Sequence, residues 1–250
     1  MNNSLRTLIC LLLVSMASYN TQAQSLQDLW GKLFNQKNQQ NNDGSLNNLK
    51  NTEIVSALKQ ALEIGTQNAS GALSATNGFF GNALVKIMLP EEAKHIETAL
   101  RKFGMDKLVD ETILTMNRAA EDAAGKAVPI FVNAISSMSI QDGMQILTGG
   151  EGAATQFLKN KTTQQLTVAF EPVIRQALGK FNVTSHWNQL FTTYNSLPLV
   201  EKKVNPDLIG YVTEKTLDGL FLTIAQEENK IRENPGARTT ELLKKVFGAK

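Results

Sequence analysis

The sequence contains a single cysteine, and it lies close to the N-terminus. Cys10 falls inside the apolar run of residues 8–14 with no hydrophobic segment before it, so it is badly placed to be the lipidated first residue of a lipoprotein. If residues 1–23 are cleaved off, as we expect below, the remaining chain has no thiol. Disulfide frameworks, cysteine nucleophiles and cysteine-liganded metals are then excluded, and stability must come from a packed core.

Histidine is almost as scarce, and several catalytic motifs are missing. Neither His95 nor His186 has a second histidine or a carboxylate at i+3 or i+4 that would complete a metal-binding helix face. HExxH, GxSxG and the P-loop do not occur. The sequence therefore predicts no catalytic residue, no metal site and no cofactor, and it favours a protein that is not an enzyme.

The chain also lacks an excess of charge of either sign. The 25 basic residues face 23 acidic ones, and removal of Arg6 with the N-terminal segment leaves 24 against 23. Binding of nucleic acid requires a concentrated basic face, whereas Lys202-Lys203 and Lys244-Lys245 are only pairs. We therefore expect no nucleic-acid partner, and no segment after residue 23 is apolar enough to cross a membrane.

What the N-terminus does contain is the pattern of a secretory signal. Arg6 precedes the apolar run 8–14, and small side chains end the segment at Ala23. The run is much shorter than the roughly 20 residues that span a bilayer. We therefore expect residues 1–23 to be a signal peptide, cleaved after Ala23, and the mature protein to be periplasmic or otherwise exported and soluble.

Residues 24–50 combine a short amphipathic helix with a polar linker. Apolar side chains recur at helical spacing within residues 25–34, while residues 35–48 are mostly Asn, Gln, Gly and Ser. The polar face of the helix is not rich in Lys or Arg, which favours docking on the protein body, with peripheral contact to a membrane as the other interpretation.

Residues 51–250 read as one all-α domain, because helical stripes and caps follow one another with no alternating strand pattern. We expect this single domain to contain about nine or ten helices, preceded by the short N-terminal helix. Ser139 and Asp142 have the spacing of a capping box, and Gly104 is placed to end a helix. The first stripe of the domain consists of Ile54, Leu58, Ala61, Leu62, Gly65, Ala69 and Leu73.

A polar group inside an alanine-rich helix is the first candidate site. Asn117 and Glu121 stack at i, i+4 beside the apolar stripe, and Arg118 and Asp122 lie farther round the helix. Because alanines allow a second helix to approach closely, that helix could enclose the cluster, where buried charges need partners. Two interpretations follow, a structural network that sets the helix register or a polar patch in a ligand cleft.

The second candidate is a glycine-rich turn between helices. Gly149 and Gly150 lead into a helix N-terminus, whose free amides can bind phosphate. Glu151 argues against a phosphate, because a carboxylate in the first turn already complements the helix dipole and repels an incoming anion. We therefore interpret the segment as a tight interhelix turn, with Thr155 hydrogen-bonded locally or to a neighbouring helix.

Several segments resemble a known family. LTGGEGAATQFLK at 147–159, NRAAEDAA at 117–124, LPEEAK at 89–94 and NPDLIGYVTEKTLDGLF at 205–221 are similar to domain-of-unknown-function family 4197. The resemblance covers residues 46–248. It implies a helical, exported bacterial protein and assigns no activity.

Three functions are consistent with these features. The leading hypothesis is a non-catalytic binding protein that takes an apolar small molecule or an envelope protein in a cleft between helices. The alternative is a structural or assembly factor of the envelope, acting through protein contacts of the helix at 25–34. A hydrolase that depends on carboxylates such as Glu121 and Asp122 is the least favoured.

Overall fold

The computed structural model describes residues 51–179 and 207–233, together with 187–188, 191–192, 195–196, 203 and 205. None of these residues lies in a β-strand, and the prediction of an all-α fold is confirmed. The signal segment, the helix at 25–34 and the linker lie outside them, as do most of residues 180–206 and all of 234–250, so the nine or ten helices of the domain stay a prediction. In chain order the helices are α1 (Asn51–Ser74), a 3₁₀ turn (Glu91–Ala93), α2 (Lys94–Lys102), α3 (Asp106–Ala124), α4 (Ala127–Ser136), α5 (Ile140–Thr148), α6 (Ala153–Gly179) and α7 (Leu208–Glu233).

Helix α1 buries the stripe that the sequence predicts and packs against α7. All seven residues of that stripe are buried. Asn68 Nδ2 donates to Glu227 Oε2 at 3.2 Å, whereas Gly219, earlier in α7, lies against Phe79, beyond the end of α1. Early residues of one helix thus meet late residues of the other, and the pair is antiparallel.

Helix α6 lies at the centre of the bundle. It packs against α3, α4, α5 and α7, and its side chains Leu158, Leu166, Phe170 and Ile174 are completely buried. A helix with apolar contacts on several sides serves as the common core of its neighbours. The N-terminal end of α6 is therefore held in place by the helices around it.

Two helix ends have the capping residues that the sequence predicts. Ser139 and Asp142 form the full capping box at the start of α5, and the hydrogen bonds from the Ser139 hydroxyl and amide lower the pKa of Asp142. Gly104 ends α2 with a φ of +76°, a conformation that L side chains rarely adopt.

Among the described helices, no single one is long and apolar enough to span a bilayer. Residues Asp106–Ser136 and Ile140–Thr148 meet the length and composition requirement only together, across a bend of 105°.

Candidate functional site

Asn117 lies completely buried on α3 and holds the connection between α1 and α2, residues 75–90, which we call the 75–90 loop. Its side-chain Oδ1 accepts from Ile87 N at 2.8 Å, and its Nδ2 donates to Ile87 O at 2.7 Å. Nδ2 also donates to Ile113 O at 2.7 Å. The side-chain amide therefore pairs with both the N–H and the C=O group of Ile87.

Glu121 binds the same loop one helical turn farther along. Its Oε1 accepts from Phe79 N at 3.2 Å and Phe80 N at 3.1 Å, while Oε2 pairs with Arg118 Nη1 at 2.5 Å. Only 4% of Glu121 is exposed. A buried carboxylate is tolerated here because three donors replace the water it has lost.

Arg118 completes the network at its solvent edge. Its Nη2 donates to Asn77 Oδ1 at 2.8 Å, and its guanidinium lies 5.9 Å from the ring centre of Phe80. Asn77 has a φ of +68°, so the contact fixes a residue in the left-handed region. Lys86 Nζ lies 4.1 Å from the same ring, which thus has two cations near it.

The hydrogen bonds of Asn117, Arg118 and Glu121 reach the 75–90 loop. The structure corrects one part of the sequence interpretation of this cluster, because Asp122 is exposed and takes no part in these hydrogen bonds. The geometry supports the structural interpretation, because the buried polar atoms hold loop backbone in place.

Tyr211 joins the 75–90 loop to α7. Its hydroxyl donates to Met88 O at 2.9 Å, and burial, followed by the charges of Glu92, Glu214 and Glu91, raises its pKa to about 12. Because the folded pKa lies above the unfolded value of about 10, this contribution to stability is complete below pH 10. It is lost as the pH rises toward 12.

We expect Tyr211→Phe to lower the free energy of unfolding by about 1 kcal/mol at neutral pH, because Met88 O loses its donor. Ultraviolet titration of tyrosinate should lose the transition near pH 12. Between pH 10 and 12 the wild type should lose more stability than the variant. Equal pH dependence of both proteins would contradict the assignment.

The glycine-rich turn joins α5 to α6 as predicted. Gly149 caps the end of α5, and Gly150 and Gly152 have φ values of +78° and +76°, where a side chain would be strained. Helix α6 begins at Ala153, so Glu151 precedes the helix and is not in its first turn. Glu151 instead accepts from Asn229 Nδ2 of α7 at 2.7 Å.

The carboxylate at the start of α6 comes from Glu228 of α7. It accepts from Ala154 N at 3.2 Å, Thr155 N at 2.9 Å and Thr155 Oγ1 at 2.8 Å. Only 8% of Glu228 is exposed. The N-terminus of α6 thus already binds an anion, supplied by the chain itself.

Arg232 balances this buried charge. Its Nη2 lies 2.8 Å from Glu228 Oε1, and the same nitrogen donates to Ile146 O near the end of α5 at 3.3 Å. Sequence reasoning missed the pair, although the i, i+4 spacing of Glu and Arg was visible. That spacing is ordinary on solvated helices, and only burial sets this pair apart.

A small apolar cleft lies beside this ion pair, and we call it the α1–α7 cleft. Its volume is about 30 Å³, and it is partly open to solvent. The lining is mainly apolar, and its polar residues are Thr66, Glu228 and Arg232. The lining residues are Leu58, Ala61, Leu62, Gly65, Thr66, Leu147, Ala154, Ile224, Glu228, Ile231 and Arg232.

One motif escaped the sequence analysis. Ser56-Ala57-Leu58-Lys59 matches the SxxK pattern of some serine acyl hydrolases. The Ser56 hydroxyl donates to Thr52 O at 2.8 Å, and Lys59 Nζ donates to Ser136 O at 2.8 Å. The two side chains thus bond to carbonyls of different segments.

Among the residues that the structure describes, no three of the types His, Cys, Asp and Glu lie close enough together to hold a metal ion. His95 lies exposed on α2. His186 lies outside the described residues.

Comparison with known protein families identifies the family to which the chain belongs. The model of the family described as "Protein of unknown function (DUF4197)" matches residues 48–248, which include all the helices described above and both polar networks. No curated protein and no solved structure matches the chain. Because the match spans more than half of the chain, the protein belongs to the DUF4197 family of proteins of unknown function.

Proposed function

We propose that this protein is a non-catalytic, exported binding protein whose α1–α7 cleft receives an apolar side chain of a partner protein. The observation that supports the proposal is the cleft itself. It is mainly apolar, partly open, and walled by four helices, of which α5, α6 and α7 are joined by the hydrogen bonds of Glu228 and Arg232. A partly open apolar depression beside a fixed ion pair is suited to an anchor side chain with a polar neighbour.

The size of the cleft favours a protein over an apolar small molecule. Clefts that enclose drug-sized ligands measure about 300 to 1,000 Å³. The volume here, about 30 Å³, is close to that of one water molecule. The tip of a leucine or valine side chain can enter such a space, whereas a lipid or a ring compound requires the helices to move apart.

The carboxylates support the non-catalytic part of the proposal. Glu121 and Glu228 each accept two backbone N–H bonds and pair with an arginine of their own helix. A general acid or base must exchange a proton with a substrate at hydrogen-bond distance. In both cases the positions around the carboxylate oxygens are taken by protein donors.

Export is the other part of the proposal, and the pattern of residues 1–23 supports it. We expect the exported protein to begin at Gln24, and N-terminal sequencing of the protein from an envelope fraction checks this. A mature chain that begins at Met1, or acylation of Cys10, would contradict it.

Two glycines of α1 provide a matched test of the cleft. A Cβ at Gly65 would meet Glu227 Cβ at 3.6 Å and Ile231 Cδ1 at 3.9 Å, which are ordinary contacts, and it would project into the cleft. A Cβ at Gly71 meets nothing within 4 Å. Both Gly→Ala substitutions should stabilise the helix by about 0.5 to 1 kcal/mol.

We expect Gly65→Ala to reduce partner binding and Gly71→Ala to preserve it. Native mass spectrometry of protein purified without detergent from the envelope compares the bound species in the wild type and both variants. A bound polypeptide that is lost only in Gly65→Ala supports the proposal. A bound lipid would show that the ligand is a small molecule and not a protein. Equal binding by all three proteins would exclude the cleft as the binding site.

The alternative, an envelope assembly factor that acts through residues 25–34, predicts a different result. Deletion of residues 25–34 from the mature chain should then abolish the bound polypeptide, while Gly65→Ala leaves it unchanged. The two variants therefore separate the cleft from the N-terminal helix.

A further inference from the structure

The outer side of the 75–90 loop exposes apolar side chains. Buried and exposed residues alternate along the second half of the loop. Leu84 and Met88 are 68% and 46% exposed, whereas Val85, Ile87 and Leu89 are buried. One side of the loop therefore faces the core and the other side faces solvent.

Helix α7 continues this exposed surface. Gly219 lies against Val85, and the Tyr211 hydroxyl donates to Met88 O, so α7 runs alongside the loop between these positions. Leu222 lies about 60° from Gly219 around the helix. It is 42% exposed. We call the combined surface the loop–α7 face, and its residues are Leu84, Lys86, Met88, Tyr211 and Leu222.

Hydrogen bonds fix the loop part of this face. Asn117 of α3 binds both the N–H and the C=O group of Ile87, and Tyr211 binds the next carbonyl, Met88 O. A surface that is already fixed loses little conformational entropy when a partner binds. The apolar side chains of the face are therefore presented in one arrangement.

Charges without a partner in the chain are separated by sign along the face. Lys86 is the only charged residue of the loop, and its Nζ lies 4.1 Å from the ring centre of Phe80. Glu92 and Glu214 lie toward the other end, near Tyr211. Between described residues, Lys86, Glu92 and Glu214 form none of the ion pairs. One end of the face is thus cationic and the other is anionic.

Other charged side chains near the face are paired within the chain. The pairs are Lys215 with Asp218, Lys94 with Glu91 and Arg118 with Glu121. An ion pair contributes less to the surrounding potential than two separate charges, because its two fields oppose each other. Lys86, Glu92 and Glu214 therefore dominate the charge pattern that a partner meets.

A second copy of the chain is complementary to this pattern. In a two-fold interface the same surface meets itself, and every contact occurs twice. An axis near Met88 brings Lys86 of one copy to the acidic end of the other, while the apolar side chains meet at the centre. A partner of a single charge sign would instead meet like charge at one end, which is unfavourable.

We propose that the loop–α7 face pairs with the same face of a second copy to form a two-fold dimer. Lys86 of each copy then pairs with Glu92 or Glu214 of the other. The face extends about 17 Å along α7 from Tyr211 to Leu222. A surface of this size suits a small interface that dissociates on dilution.

The dimer leaves the α1–α7 cleft accessible. Ile224 lines the cleft, and it lies about 160° from Leu222 around α7. The two surfaces thus lie on different sides of the helix. The inference goes beyond the proposed function and does not depend on it.

Charge reversal tests the pairing by sedimentation velocity of the mature chain over a wide range of concentrations. We expect the wild type to dimerise reversibly. Lys86→Glu, and Glu92→Lys together with Glu214→Lys, should each weaken self-association at least about tenfold, because like charges then face each other. An equal mixture of the two variants should dimerise within about threefold of the wild type, since each supplies the charge that the other lacks. This recovery also shows that neither variant is misfolded.

Cysteine cross-linking locates the interface independently. Cys10 is the only cysteine of the chain, so Cys10→Ser gives a background without thiols. In that background, oxidation should link two copies of Met88→Cys near the axis. Val168→Cys, at a position 70% exposed on α6, is the matched control. It should form no linked dimer, because a disulfide requires Cα atoms within about 7 Å.

Four results would overturn the inference. They are a monomeric wild type at every concentration, a dimer that both charge variants leave unchanged, a mixture of the variants that stays monomeric, and equal linking of Met88→Cys and Val168→Cys. Loss of the partner in Gly65→Ala, or its absence, bears only on the cleft. Failure of the dimer and failure of the proposed function are therefore distinguishable.

Discussion

We expect Glu121→Ala to lower the free energy of unfolding by about 3 kcal/mol. The substitution leaves the amides of Phe79 and Phe80 without an acceptor, and Phe79 is completely buried. Each buried donor that loses its partner costs about 1 to 3 kcal/mol. The Arg118 guanidinium also loses its partner, but 38% of its side chain is exposed and water replaces part of the contact.

Thermal and urea unfolding of Glu121→Ala, Arg118→Ala and the double variant measure the coupling within the network. We expect the double variant to cost less than the sum of the single ones, because both remove the same ion pair. Asp122→Ala is the matched control on an exposed position of the same helix and should change stability by less than about 0.5 kcal/mol. An unfolding midpoint of Glu121→Ala that equals that of the wild type would disprove the structural role.

The second large effect on stability is expected at Gly219, where α7 contacts the 75–90 loop. At Gly219 a Cβ would lie 2.7 Å from Phe79 Cε1 and 3.2 Å from Val85 Cβ. The Phe79 ring is completely buried and cannot move into solvent. We therefore expect Gly219→Ala to destabilise the fold by about 1 to 3 kcal/mol through overpacking, although alanine is the better helix former.

Gly71→Ala supplies the control, since its added methyl group meets nothing within 4 Å and should stabilise α1. Combining Gly219→Ala with Phe79→Leu should cost less than the two changes separately, because the smaller side chain gives the methyl group room. Urea unfolding of the wild type, Gly71→Ala, Gly219→Ala, Phe79→Leu and the double variant decides between these outcomes. Stabilisation by Gly219→Ala would show that α7 and the loop are not in close contact.

Local sequence patterns were sufficient for the all-α class and for several helix faces and ends. The stripe that begins at Ile54, the capping box at Ser139 and the glycine after α2 each involve residues within a few positions of one another. Helical periodicity and capping act over one or two turns, so they can be predicted from the sequence without the tertiary structure. The stacking of Asn117 and Glu121 on one side of α3 is local in the same sense.

What these residues contact depended on the tertiary structure. Glu121 binds amides that lie 41 and 42 residues away in the sequence, and Glu228 binds amides 73 and 74 residues away. From the sequence, the cluster on α3 was assigned a second helix as its neighbour, and the start of α6 was assigned the carboxylate of Glu151.

The physical reason is that unpaired backbone amides look alike in a sequence. Every non-proline residue carries the same donor, and a loop or a helix N-terminus can accept any carboxylate that the fold brings within reach. The sequence by itself determined the all-α class, the caps and turns named above and the candidate residues. Packing of the 75–90 loop on α3 decided which amides Glu121 reaches. Packing of α7 against α6 decided which amides Glu228 reaches, and the contact of α7 with α1 left the apolar cleft beside Glu228.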